Sequence, residues 1–98
     1  MSNNTPDAKF WSRVDALIHT TNAQCDEADP NEVAASTLYA AARFNAFIVA
    51  QATGNPENMA SEKERALEYF TDQFRKMLED NLEDFTRNFD KYMVKAPQ

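Results

Sequence analysis

Glycine occurs once in these 98 residues, at Gly54. A sheet protein of this size needs several glycines or Asn-Gly pairs to turn its hairpins, so the fold is not built on β-sheet. The same scarcity excludes a glycine-rich phosphate loop. Cysteine and histidine also occur once each, as Cys25 and His19. No intramolecular disulfide can form, which fits a reducing, cytoplasmic compartment. One His and one Cys cannot make a zinc set. The Glu-x-x-His motif of di-iron bundles and the EF-hand loop are missing too, so no metal and no cofactor are expected.

Positive charge is short as well, with 10 Lys and Arg against 16 Asp and Glu and a net charge of −6. That balance repels phosphate backbones and anionic lipid, so neither nucleic acid nor a membrane is expected as partner. The N-terminal residues lack the basic stretch and apolar run of a signal peptide. The longest apolar stretch, 33–52, is interrupted by Ser36, Thr37, Arg43, Asn45 and Gln51. It reads as a buried helix and not as a membrane span.

What the chain does have is helix-forming residues and aromatics. Ala, Leu, Glu, Lys, Arg and Met are abundant. Seven Phe, three Tyr and one Trp supply a core and argue against disorder. The length suits a single helical domain over residues 1–98. A chain this short buries only roughly 60–65% of its surface, so a partner chain would add stability.

Three prolines follow good N-caps: Thr5 before Pro6, Asp29 before Pro30 and Asn55 before Pro56. Proline is tolerated at the first helical position because its missing N–H would be unpaired there. The spacing predicts a first helix over Pro6–Ala28, with Phe10, Val14, Leu17, Ile18, Thr21 and Cys25 on one face. A second is predicted over Pro30–Ala52, apolar nearly all round and hence central among its neighbours. A third is predicted from about Ser61 to Tyr92, starting there or at Pro56. Leu67, Phe70, Phe74, Leu78, Leu82, Phe85, Phe89 and Tyr92 follow a 3.6-residue repeat along it, so it is straight and not a long coiled coil.

At about 1.5 Å per residue the first two helices reach roughly 34 Å and the third roughly 46 Å. The overhang carries Phe85, Phe89 and Tyr92. Either the third helix breaks near Glu79–Asn81 and folds back, or a second subunit covers those aromatics. The expected fold is therefore all-α, a three-helix antiparallel bundle with a long C-terminal helix, or four helices if the last one breaks. A homodimer is expected, with Asn81, Leu82, Phe85, Asn88, Phe89 and Tyr92 at its interface. Buried asparagines such as Asn81 and Asn88 can fix register there.

Catalytic candidates are weak, and no catalytic residue is assigned. His19 has Asp15 one turn away but sits in the middle of a polar face. Cys25 and His19 are about 120° apart on their helix, too far round for a nucleophile–base pair. Glu79, Asp80, Glu83 and Asp84 form a solvated acidic face that could hold a divalent ion only loosely. A small-molecule site is the alternative function: Tyr39 and Arg43, one turn apart, would grip an anion or carboxylate beside an aromatic wall, and Asn45 would orient the ligand. The leading expectation is a non-enzymatic interaction or scaffold protein, with a protein partner recognised helix to helix.

Two segments, YAAARFNAF (Tyr39 to Phe47) and EYFTDQFRKMLEDNL (Glu68 to Leu82), resemble a family of small uncharacterised bacterial proteins, catalogued as domain of unknown function 3144. The likeness runs from about Phe10 to Tyr92. It implies a bacterial cytoplasmic protein of similar size and supplies no catalytic residues. It places Arg43 and Asn45 inside a motif.

Overall fold

A computed structural model describes residues 6–93. Four helices occupy nearly all of them: α1 (Ala8–Gln24), α2 (Pro30–Thr53), α3 (Pro56–Arg87) and α4 (Phe89–Met93). Among the described residues there is no strand. The all-α class holds, with four helices where the sequence left three or four open.

α1 is capped by Asp7, whose Oδ1 accepts the Phe10 N–H at 2.9 Å, and Thr5 lies outside the described residues. α1 also ends short of Ala28. The Cys25 and Asp26 N–H groups turn to the carbonyls of Asn22 and Ala23 at 3.0 and 3.1 Å, a tighter i→i−3 closure. The cause is local. Asp26 and Glu27 oppose the negative end of the helix dipole, and Asp29 precedes a proline, which disfavours the α region.

α2 starts where expected. Asp29 Oδ1 accepts the Asn31 N–H at 3.2 Å, and Pro30 fills the first helical position. It stops at Gly54, whose φ of +80° would cost another residue about 1–2 kcal/mol. Asn55 then caps α3, accepting the Asn58 N–H at 2.8 Å, while Asn58 Nδ2 donates to the Thr53 carbonyl at 3.1 Å. Of the two candidate starts, the Asn-Pro pair is the one used, and Ser61 lies inside the helix with its hydroxyl on the Glu57 carbonyl at 3.2 Å. Asn55→Ala should cost about 1 kcal/mol of stability, read as a lower denaturant midpoint at unchanged slope.

α3 does not break at Glu79–Asn81, so the first of the two alternatives, a break and fold-back there, does not occur. That segment has neither Gly nor Pro, and Asn81 Nδ2 donates to its own helix at the Met77 carbonyl, 2.8 Å away. The break comes two turns later, at Asn88 (φ −115°, ψ 29°). α3 carries four ion pairs one turn long, Glu62–Arg65, Asp72–Lys76, Arg75–Glu79 and Glu83–Arg87, at 3.2–3.9 Å. Each contributes only about 0.2–0.5 kcal/mol; together they mark the solvated face of the helix.

By internal packing the chain divides within α2, into a unit ending at Ile48 and one starting at Val49. In the first unit no α1 Cα comes within 8 Å of an α2 Cα, whereas closely packed helices run with axes about 8–10 Å apart. The two helices are splayed, and Val33, 6% exposed, is the one buried residue among those described. The enclosed central helix expected from the α2 pattern is therefore not realised within one chain: Phe44 stays 63% exposed and Phe47 54%. α2 is also, by length and composition, apolar enough to cross a membrane, with mean hydropathy 1.3. In the second unit α4 lies against the end of α3, and the apolar stripe of α3 is open, with Phe74 47% and Leu82 58% exposed.

Candidate functional site

A concavity of about 890 Å³ lies between the splayed α1 and α2. α1 lines it with Leu17, Thr20, Thr21 and Gln24, and α2 with Val33, Ser36, Thr37, Ala40, Ala41, Phe44 and Asn45. The floor along α2 is built of small residues at helical spacing. Its threonines are less polar than their type suggests. Thr20, Thr21 and Thr37 donate their hydroxyls to the carbonyls of Ala16, Leu17 and Val33, at 3.2, 2.8 and 2.8 Å. With those protons engaged in their own helices, the threonines offer methyl groups to the groove. Glu32 is the one charged residue on the lining.

The three residues of the alternative ligand site do not gather here. Asn45 lines the groove; Tyr39 and Arg43 do not. At 100° per residue Asn45 stands about 160° from Arg43 on α2, so the helix cannot aim both into one pocket. Tyr39 is 67% exposed, and Arg43 takes part in none of the ion pairs among the described residues. His19 is exposed and Cys25 half-buried at the end of α1. Among the described residues no three His, Cys, Asp or Glu side chains are gathered to hold a metal.

The second feature is a clasp at the end of α3, formed by Asp84 with Phe85, Asn88 and Tyr92, the last three expected at an interface. The Tyr92 hydroxyl donates to Asp84 Oδ2 at 2.7 Å. Asn88 Nδ2 donates to Asp84 Oδ1 at 2.8 Å and to the Asp84 carbonyl at 3.2 Å. The rings of Phe85 and Tyr92 meet at 4.4 Å between centroids. Asp84 thus fixes α4 against α3, while Leu82, Phe85 and Phe89 stay exposed beside it. The amides of Asn81 and Asn88 are both engaged within α3.

The Tyr92 hydroxyl, then the Asn88 amide, and more weakly Lys91 and Arg87 lower the Asp84 carboxyl below its ordinary value of 3.8. The same bond raises the Tyr92 phenol above its ordinary 10.0. The stability that Asp84 adds is therefore present above its ordinary value and is lost as pH falls through the lowered one. That of Tyr92 is complete below its ordinary value and is lost as pH rises through the raised one. Tyr92→Phe should return the Asp84 titration toward 3.8, followed by carboxyl-carbon NMR against pH.

Sequence reading placed Asp84 in a solvated acidic face and missed its role. The signal was present in the spacing of Asp84, Asn88 and Tyr92, one turn apart each, on one helical face. The groove was missed because its floor of Ser36, Thr37, Ala40 and Ala41 looked like close-packing surface.

Residues 10–86 match the family model described as protein of unknown function, DUF3144. No curated protein sequence matches the chain. Among solved structures the chain is similar to the protein NB7890A from Shewanella sp, determined by NMR, with 34% sequence identity and a TM-score of 0.73, over 98% of this chain and 100% of that one.

Proposed function

We propose that this chain, which belongs to the DUF3144 family of proteins of unknown function, is a non-enzymatic helical interaction protein that works as a homodimer. One observation carries the reading: within each packing unit large apolar side chains stand exposed, with Phe44 63% exposed on α2 and Leu82 58% on α3, and contiguous exposed apolar surface of this kind marks interaction sites.

The exposed residues are of the right kind. Leu67, Phe74, Leu78, Leu82 and Phe85 stand exposed on one side of α3, with Phe89 exposed at the start of α4; the ion pairs lie on the other side of α3, and the charged face keeps the assembly soluble. In the dimer the helices form an antiparallel bundle, with Phe85 and Phe89 of the C-terminal end at the interface. The lone Cys25 and net charge of −6 suit a reducing bacterial cytoplasm.

Light scattering on a size-exclusion column tests this. A single species near twice 11.2 kDa is expected. A fully helical species at the monomer mass would overturn the reading. So would a monomer that pellets with phosphatidylcholine vesicles, since α2 is apolar and long enough to enter one.

A further inference from the structure

We infer that α4 is a strap: it swings about Asn88 and uncovers Phe85 while α3 stays folded, and the Asp84 carboxylate holds it shut. Both helices belong to one packing unit of one chain, so the inference stands apart from the homodimer reading.

The strap cannot hold its own shape. α4 is five residues long, Phe89–Met93, little more than one turn. Helices shorter than about 12 residues are marginal in water by themselves, so α4 is helical because it is docked. α3 does not depend on it in the same way. It runs for 32 residues, and its four ion pairs end at Arg87 and include no residue of α4.

The joint between them can bend. Asn88 leaves the helical backbone region, with φ −115° and ψ 29°. Its N–H still reaches the Asp84 carbonyl at 2.9 Å, whereas the Tyr92 N–H begins again from the Asn88 carbonyl at 3.2 Å. Asn88 Nδ2 is tied back to Asp84. Asn88 therefore stays with α3, and the residues after it turn as one body. Hinges are element-terminal positions of this kind, where a change of φ and ψ is absorbed.

The hold is one bond and one ring. Among the described residues the Tyr92 hydroxyl on Asp84 Oδ2, at 2.7 Å, is the one side-chain hydrogen bond from α4 to α3, and no ion pair joins the two helices. The Tyr92 ring lies 4.4 Å from that of Phe85, tilted by 31°. A hydroxyl bonded to a charged carboxylate makes a stronger bond than one bonded to a neutral acceptor, so the lock depends on the charge of Asp84. The groups that face this carboxylate are Tyr92 and Lys91 from α4, Arg87 from the end of α3, and Asn88 at the joint. Once the bond opens, Phe85 loses its cover. The exposed apolar stripe that runs along α3 through Leu78 and Leu82 then gains its last ring. α4 sets where that stripe ends, and segments held by so few contacts open separately from the rest of a fold.

Carbon-13 NMR of the full chain tests the strap, because carbon shifts report helix residue by residue. Asp84→Asn keeps the shape of the side chain and removes its charge; Tyr92→Phe keeps the ring and removes the hydroxyl. In each variant the open population, read from the shifts of residues 89–93 between their helix and coil limits, should rise about three- to tenfold, the worth of an exposed hydrogen bond to a charged group. The nuclear Overhauser contact between the Phe85 and Tyr92 rings should weaken in step, and the shifts of α3 up to Glu83 should stay helical. Two results overturn the inference. An open population unchanged in both variants means that the Asp84–Tyr92 bond does not hold α4. Loss of helical shifts in α3 together with those of α4 means that the two melt as one and no strap exists. The wild-type protein guards against damage by the substitutions: on stepwise warming, the contact between the two rings should vanish while α3 is still helical. Loss of both at one temperature also overturns the inference.

Discussion

Phe74→Asp should abolish the folded dimer and most of the helical circular-dichroism signal. Phe74 stands in the middle of the α3 stripe and is 47% exposed in the single chain. If a partner chain covers it, removing the ring costs about 3–5 kcal/mol, and burying a carboxylate in its place costs more. Two-fold symmetry counts the loss twice, giving at least about 6–10 kcal/mol. Native proteins hold about 5–15 kcal/mol in total, so the variant has no margin left. A self-sufficient monomer responds in the opposite way: a half-exposed Phe replaced by Asp leaves helicity unchanged and solubility improved. A control on the solvated face of α3, Arg87→Ala, should change stability by less than about 0.5 kcal/mol, since it removes one exposed ion pair.

The second large effect is on dilution. A protein whose core forms only between chains has a melting temperature that depends on its concentration. A hundredfold dilution weakens the assembled state by about 2.7 kcal/mol. For a cooperative unit of two such chains, each kcal/mol moves the midpoint by about 2–4 °C, so the melting curve should shift down by about 5–10 °C. Differential scanning calorimetry at the two ends of that range measures it. A midpoint independent of concentration would mean that each chain melts alone.

The helix starts were legible in the sequence because caps are local. Asp29 before Pro30 and Asn55 before Pro56 each bond an N–H two or three residues on, and no distant part of the chain is needed. The first helix starts at Ala8, two residues after the Pro6 start the spacing predicts, with Asp7 as its cap, because a second good capping residue stands close to the first. A break near Glu79–Asn81 was one of two alternatives for the last long helix; the helix instead runs on to Asn88, where side-chain bonds gather around Asp84, which helix length alone does not reveal. The apolar pattern of α2 predicts a helix enclosed by its neighbours, yet Phe44 and Phe47 stay exposed in the single chain. Which elements would enclose it is a matter of how helices are placed in space, and periodicity carries no such information. The groove illustrates the same limit: Thr37 reads as a polar interruption of α2 until its hydroxyl is found bonded to the Val33 carbonyl of its own helix.

The most direct measurement of whether this chain completes its core with a second copy is native mass spectrometry on an equal mixture of unlabelled and 15N-labelled protein, refolded together. Three dimer masses are expected, the middle one a mixed dimer twice as abundant as either neighbour and without any adduct. A spectrum showing only folded monomer at 11.2 kDa would contradict the shared core.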